Sequence, residues 1–365
     1  MEAAVNLTIS KPQFFFLIIK TQIGIGLLSL PSETERIAKG DSWISVIWAG
    51  VMIQLLLIVY WQLLKKFPNH TLSEIIVRML GPYVGKAINV IYLAFFILIA
   101  SYASMLYVRL LNTWMLRITP VWVLLLLIIG TCLYLAIDNL RVIARFFVLS
   151  SVLIGVLLLI SILNFSNEVH FTNILPIGQA GATQIFTGSE KTFFAMLGFE
   201  VTLYFFAQVE GNHKGMFRIM TLANCFITLF YAYFVFICLI GLSPKVLEMV
   251  SEPVLYILKG LSYQLFDRID LIFLTIWIIP MSVTIVSYLC MAGKSLSHKQ
   301  SSYRKLVWIS GGLVFLAGWY LSTLENVDLY SKWLEYGYLI MIAAVPVLLW
   351  LGSFLMTNMK KVGST

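Results

Sequence analysis

Two ionisable residues stand inside apolar runs, and each lies close to a glycine. Lys20 precedes Gly24 by about one helical turn in Lys20-Thr21-Gln22-Ile23-Gly24-Ile25-Gly26-Leu27-Leu28-Ser29-Leu30-Pro31, and Glu200 follows Gly198 in Met196-Leu197-Gly198-Phe199-Glu200. A charge at hydrocarbon depth is costly, so such a residue faces the bundle interior with a partner and marks a ligand path, an ion path or a proton relay. Lys20 and Glu200 are therefore charge or gating candidates, and partners of one another if their spans lie side by side. Lys191, beside Glu190, sits nearer the end of its span, where a lysine can instead snorkel to the headgroups. This chemistry is recognition, not covalent catalysis. No span presents a nucleophile with a base and an orienting acid, so the chain does not read as an enzyme. Cys132, Cys225, Cys238 and Cys290 lie in apolar runs without metal-type spacing, and His70, His170, His213 and His298 sit in separate loops. The sequence thus points to no metal site and no cofactor.

The glycines admit two readings. Glycine lets a ligand approach the backbone and makes helix least secure. An opened helix survives in a membrane only where it lines a protein cavity. Alternatively, Gly24-x-Gly26 is a small-residue face for helix packing. Gly198 favours the first at the level of the whole chain. A glycine-interrupted helix opens each of two halves, and matched interruptions point to an inverted-repeat transporter fold with a midplane site.

The elements that position these residues follow from composition. Over 365 residues the chain is 60% hydrophobic and 12% charged, with a mean hydropathy of +0.91. That describes an all-α polytopic membrane protein with room for about ten spans. The N-terminal stretch carries no cleavable signal pattern. Spans are expected near 12–36, 42–64, 83–111, 119–137, 141–164, 186–209, 215–242, 269–293, 304–323 and 336–357. They form one transmembrane domain, 1–365, with a first repeat over about 12–164 and a second over about 185–357. Thr71-Leu72-Ser73-Glu74 reads as a capping box for a short surface helix. Segment 165–184 reads as a long external loop, and 243–266, broken by Pro244 and Pro253, as an interfacial helix pair. With the N-terminus in the cytoplasm, fifteen of the 25 Lys and Arg residues fall inside and eight outside. The positive-inside rule thus places both termini in the cytoplasm. The net charge of +8 reflects this topology and gives no reason to invoke nucleic acid; the lipid bilayer is the partner it implies.

Gly24-x-Gly26-Leu27-Leu28-Ser29-Leu30-Pro31, the run Leu197-Gly198-Phe199-Glu200-Val201, the ten spans and the length resemble the B subunit of bacterial spore germinant receptors. These are spore germination permeases of the amino acid–polyamine–organocation superfamily. The resemblance covers essentially the whole chain. It implies a LeuT-type 5+5 inverted repeat with broken helices 1 and 6, located in the spore inner membrane. It also implies A and C subunits as partners and a small germinant, such as an amino acid, that triggers germination. The alternative is a proton- or sodium-coupled amino-acid permease, which needs the same pocket.

Position by position, the resemblance implies a ligand site in which Ile23, Gly24, Ile25 and Gly26 form the opened segment. Ile99 and Tyr102 come from the third span, Leu197 and Gly198 from the sixth, and Thr284 and Tyr288 from the eighth. The i,i+4 spacing of Thr284 and Tyr288 independently puts both on one helical face, with Ser287 alongside; such a stripe also serves ordinary helix packing. Amides freed at Gly24 to Gly26 are expected to take the ligand carboxylate. Carbonyls freed near Leu197 to Phe199, with Thr284 or Tyr288, would take its ammonium. Ile99 and Leu197 would size an apolar side-chain pocket, suited to alanine or valine. Lys20 departs from the family pattern, and span five carries no lysine of the kind some proton-coupled relatives use in place of sodium.

Overall fold

The computed structural model describes residues 8–24, 26–166, 169–260, 268–297, 299–324 and 327–362. Helix α1 (Lys11–Gln22) starts where the sequence supplies its caps. The Ser10 hydroxyl accepts the Gln13 amide, the Gln13 side chain takes the Ser10 amide, and Pro12 occupies the first turn, where a missing N–H is not needed. The helix stops at Gln22. Ile23 is extended (φ −80°, ψ 90°), and helix resumes as α2 (Gly26–Ala38).

The chain continues through α3 (Ser42–Lys66), α4 (Leu72–Leu80), α5 (Pro82–Trp114), α6 (Val121–Ala136), α7 (Leu140–Ser150) and α8 (Val152–Ile162). The expected capping box is present: the Thr71 amide donates to Glu74 Oε2 at 2.8 Å. The α4 helix it starts lays its apolar face on α5. The second half begins with another interruption. Helix α9 (Ala182–Ala195) gives way to a turn over 196–200, in which Gly198 has φ +120°, before α10 (Val201–Phe205). Then follow α11 (Met216–Gly241), α12 (Pro244–Met249), α13 (Pro253–Lys259), α14 (Ile269–Leu296), α15 (Gln300–Thr323), α16 (Val327–Tyr338) and α17 (Val345–Val362).

Among the described residues, seven helical stretches are long and apolar enough to cross a membrane. The other expected spans are the shorter apolar helix α6 and the two broken helices, α1 with its continuation in α2 and α9 with α10. The segment expected to form a helix pair does so as α12 and α13, both packed on α2; residues 261–267 of that segment lie outside the described residues. Within the expected 165–184 loop, His170 and Asn173 cap the end of α11. The His170 amide donates to Ile240 O at 2.8 Å, and Asn173 Nδ2 donates to Leu239 O and Leu242 O at 3.0 Å each. These bonds satisfy carbonyls that end α11.

Between α16 and α17 the helix widens into a π-turn, Leu339–Ala344. Such a turn loosens the regular ladder. Two tyrosines reach carbonyls there: Tyr92 donates to Met341 O at 2.6 Å and Tyr60 donates to Ile342 O. Helix α5 runs along α14 and α15, and α3 lies against α9 and α11. The broken helices are held between these groups: α1 touches α7, α10, α11 and α14, and α2 touches α9 and α11.

Candidate functional site

The two breaks meet. At Gly198 an added Cβ would stand 2.7 Å from Thr21 O and 3.0 Å from Gln22 N. The α9–α10 turn therefore presses directly on the end of α1. Only glycine combines that approach with a positive φ. The carbonyls that α1 can no longer bond internally are met by side chains. Thr284 Oγ1 on α14 lies 3.2 Å from Thr21 O and 3.3 Å from Ile23 O. The Tyr231 hydroxyl on α11 donates to Gln22 O at 2.7 Å and also reaches Ala195 O at 3.1 Å, so one phenol spans the ends of α1 and α9. The Thr21 and Ser287 hydroxyls meet at 2.8 Å.

The two glycines of the first break have different jobs. An added Cβ at Gly24 would make only ordinary contact with Thr284, at 3.7 and 3.8 Å, so a methyl group fits there. At Gly26 it would stand 2.9 Å from Ala195 Cα. The two positions thus differ: beside Gly24 a methyl group fits in contact with Thr284, whereas Gly26 is a packing residue against α9. Ile25 lies outside the described residues.

Glu200 is fully buried and takes three donors. Tyr288 donates to Oε1 at 2.7 Å; Tyr338 and the Gly198 amide donate to Oε2, each at 2.9 Å. Phe199, next in the turn, stacks on Tyr60 with ring centroids 5.9 Å apart. The expected Lys20–Glu200 pair is not formed. Lys20 is also fully buried, but its ammonium donates to Ser150 O at 3.3 Å. Ser150 is the last residue of α7, where the fifth span steps into α8. A cation there meets the negative end of a helix dipole. The two charges part because α1 presents Lys20 to α7, while the Gly198 turn aims Glu200 at α14 and α16. Lys191 finds a carboxylate, Glu335 on α16, at 2.8 Å.

Of the other expected site residues, Ile23 and Ile99 are buried and Leu197 is half-buried. The Tyr102 ring packs 5.9 Å from that of Tyr330 on α16. The structure thus brings together Gly24, Gly198, Thr284, Ser287, Tyr288 and Glu200, and it sends Lys20 elsewhere. Sequence reasoning missed Tyr231 and Tyr338. The available signal was a tyrosine inside an apolar run, since a buried phenol needs a hydrogen-bond partner.

At the end of the bundle that carries the N-terminus, the segments flanking the breaks are zipped together. Ile9 N donates to Gln208 O at 2.9 Å and Glu210 N donates to Ile9 O at 2.8 Å, a one-step parallel bridge with Val209 at its centre. The Thr8 hydroxyl donates to Glu210 Oε1 at 2.6 Å, and Arg141 pairs with the same oxygen at 2.8 Å. The Thr8 hydroxyl, and after it the Arg141 charge, hold the exposed Glu210 carboxyl below its usual range. Lys294 on α14 donates to Gln208 Oε1 at 2.8 Å.

A family model described as spore germination protein matches residues 8–326. Spore germination protein GerQB of Bacillus cereus is 24% identical over 350 residues, which span 94% of this chain and 95% of that one. Spore germination protein B2 of Bacillus subtilis (strain 168) is 22% identical, with 96% of each chain covered. Among solved structures, MhsT in complex with L-phenylalanine aligns with a TM-score of 0.67 at 14% identity, over 93% of this chain and 88% of that one. A Na+-coupled sialic acid symporter in a substrate-bound outward-open state aligns with a TM-score of 0.65 at 15% identity, over 92% and 77%. At these identities the structural likeness shows the fold alone, the LeuT-type bundle of transporters.

Proposed function

Because this chain belongs to the spore germination protein family, we propose that it is the transmembrane subunit of a spore germinant receptor that binds a small amino acid at its two helix breaks. It is a non-enzymatic multi-pass membrane protein, and its work is recognition. The observation that carries the reading is the apposition of the breaks: Gly198 lies against Thr21 O, with room for a methyl group beside Gly24. A ligand entering there meets helix-end backbone groups from both halves of the chain. Those groups suit the charged ends of an amino acid. MhsT, which shares the fold, is described in complex with L-phenylalanine, and this supports an amino acid here.

The site draws on Ile23, Gly24, Leu197, Gly198, Thr284, Ser287 and Tyr288, with Ile99 and Tyr102 contributed by α5. The breaks are the first helices of two repeats, about 12–164 and 185–357, within a single transmembrane domain. The subunit works in the spore inner membrane beside the A and C subunits of its receptor, with the zipped N-terminal end facing the cytoplasm. A ligand drives a signal only through its differential affinity for two arrangements of the bundle, a coupling of about 1–3 kcal/mol in typical cases.

The test is ligand titration of the purified chain in lipid nanodiscs, read as a rise in melting temperature across the common amino acids. A saturable rise with at least one small amino acid is expected, and no rise with any of them overturns the reading. Uptake of the stabilising amino acid, labelled, into proteoliposomes separates the sensor from an ion-coupled permease: a permease accumulates label under a proton or sodium gradient, and a sensor does not.

A further inference from the structure

Gln22 ends α1 at the edge of the first break and is 1% exposed. Neither its Oε1 nor its Nε2 has a hydrogen-bond partner among the described residues. Its backbone, by contrast, is held from two directions: its carbonyl accepts the Tyr231 hydroxyl, and Gly198 lies against its amide nitrogen. The main chain is fixed by tertiary contacts while the carboxamide is left free. Buried side-chain polar atoms are nearly always paired, and leaving one unpaired incurs its full desolvation penalty. A fully buried carboxamide unpaired at both ends therefore calls for a partner that the described residues do not supply.

The neighbouring hydroxyls do not offer the same chemistry. Thr284 faces the Thr21 and Ile23 carbonyls, Tyr231 is committed to Gln22 O and Ala195 O, and Ser287 and Thr21 meet each other. Gln22 is thus the uncommitted donor and acceptor of this break. A neutral carboxamide complements a neutral group that also both donates and accepts. The charged ends of an amino acid are instead matched by the helix termini, whose dipoles carry the complementary charge.

We infer that Gln22 is a specificity-determining residue of the proposed germinant site, and that the ligand is a small amino acid whose side group carries a hydroxyl or a carboxamide, as in serine or asparagine. This inference rests on the amino-acid reading above. It departs from the hydrocarbon side chain that the apolar Ile99 and Leu197 lining suggests.

The experiment compares alanine, valine, serine, asparagine and glutamine as ligands of the full-length chain in nanodiscs, by melting-temperature titration. The wild type and two variants are used: Gln22→Met, unbranched and of nearly the same length, and Gln22→Asn, which keeps the amide one methylene shorter. The wild type should favour serine or asparagine over alanine and valine by at least about tenfold, since a site built to hydrogen-bond a ligand group discriminates strongly against analogues lacking it. Gln22→Met should lose that preference and gain affinity for alanine or valine. Gln22→Asn should keep a polar preference and shift it toward the longer glutamine, which tests the idea even if the Met variant fails to accumulate. A wild type that favours alanine or valine overturns the inference and leaves the amino-acid reading standing. So do variants with unchanged selectivity. If no amino acid stabilises the wild type, both fall together.

Discussion

Tyr288 donates to Glu200 Oε1 at 2.7 Å, one helical turn along α14 from Thr284, whose hydroxyl reaches the Thr21 and Ile23 carbonyls. One face of one helix therefore holds both breaks, the first through Thr284 and the second through Tyr288. A ligand that moves either break must move it against α14, which gives the fold a direct route from site to bundle.

Removing a donor from Glu200 tests that strut. Tyr288→Phe and Tyr338→Phe each delete one hydroxyl from a fully buried carboxyl group. Each should cost about 1–3 kcal/mol of stability, read as a lower melting temperature in nanodiscs. If both variants melt with the wild type, the carboxyl is satisfied in some other way and the strut is not real.

Lys20 and Glu200 should behave as independent sites. Lys20 is bonded to Ser150 O, while Glu200 takes the two tyrosines and the Gly198 amide. In a double-mutant cycle of Lys20→Met and Glu200→Gln, the two destabilisations should add to within about 0.3–0.5 kcal/mol. A larger coupling energy would show that the charges interact after all.

The two break glycines should respond differently to one methyl group. Gly24→Ala places its Cβ at ordinary contact distance from Thr284 and should accumulate normally. Gly198→Ala drives a Cβ to 2.7 Å from Thr21 O at φ +120°, a strain of about 1–3 kcal/mol for the backbone alone. Membrane levels by immunoblot should fall for Gly198→Ala only; equal levels would remove the close approach from the account.

Tyr231→Phe takes the donor from Gln22 O and Ala195 O together. Because the Gln22 bond is buried, the loss should exceed that of a typical surface hydrogen bond and reach about 1–3 kcal/mol. Hydrogen exchange should quicken at both breaks at once, and protection lost at one break alone would argue against a shared pin.

The zip at the N-terminal end should be acid-sensitive. The Glu210 carboxyl titrates lower in the folded chain than in the unfolded one. Its contribution is therefore fully present above the unfolded glutamate value of about 4.3 and is lost as pH falls through the lower folded value. Protection of the Ile9 and Glu210 amides, relative to their intrinsic exchange rates, should fall below that point. In Glu210→Gln this loss of protection with acid should vanish, and an unchanged pH profile would clear Glu210 of the role.

Much of this molecule is legible along the chain, because hydropathy, caps and glycines act locally. The apolar runs place the helices, and Thr71 with Glu74 starts α4 as their spacing predicts. Gly24 and Gly198 mark both breaks, since a glycine beside a polar group in an apolar run leaves the helix with few local reasons to continue. The i,i+4 spacing of Thr284 and Tyr288 correctly put them on one face. What that face touches was not in the spacing.

Partners were decided by the tertiary structure alone. Lys20 and Glu200 each needed a buried partner, and that need is a property of the residue. Which partner each found depends on how a helix is rotated and what lies across from it. The short reach from Gly198 to Thr21, the π-turn that follows Tyr338, and the phenol of Tyr231 between two helix ends all arise from elements far apart in sequence. Sequence determined the helices, their interruptions and the membrane as solvent. Only the packed bundle decided that two interruptions would share one pin and one strut, because side-chain hydrogen bonds form across a gap of about 3 Å and local composition does not specify distances between distant segments.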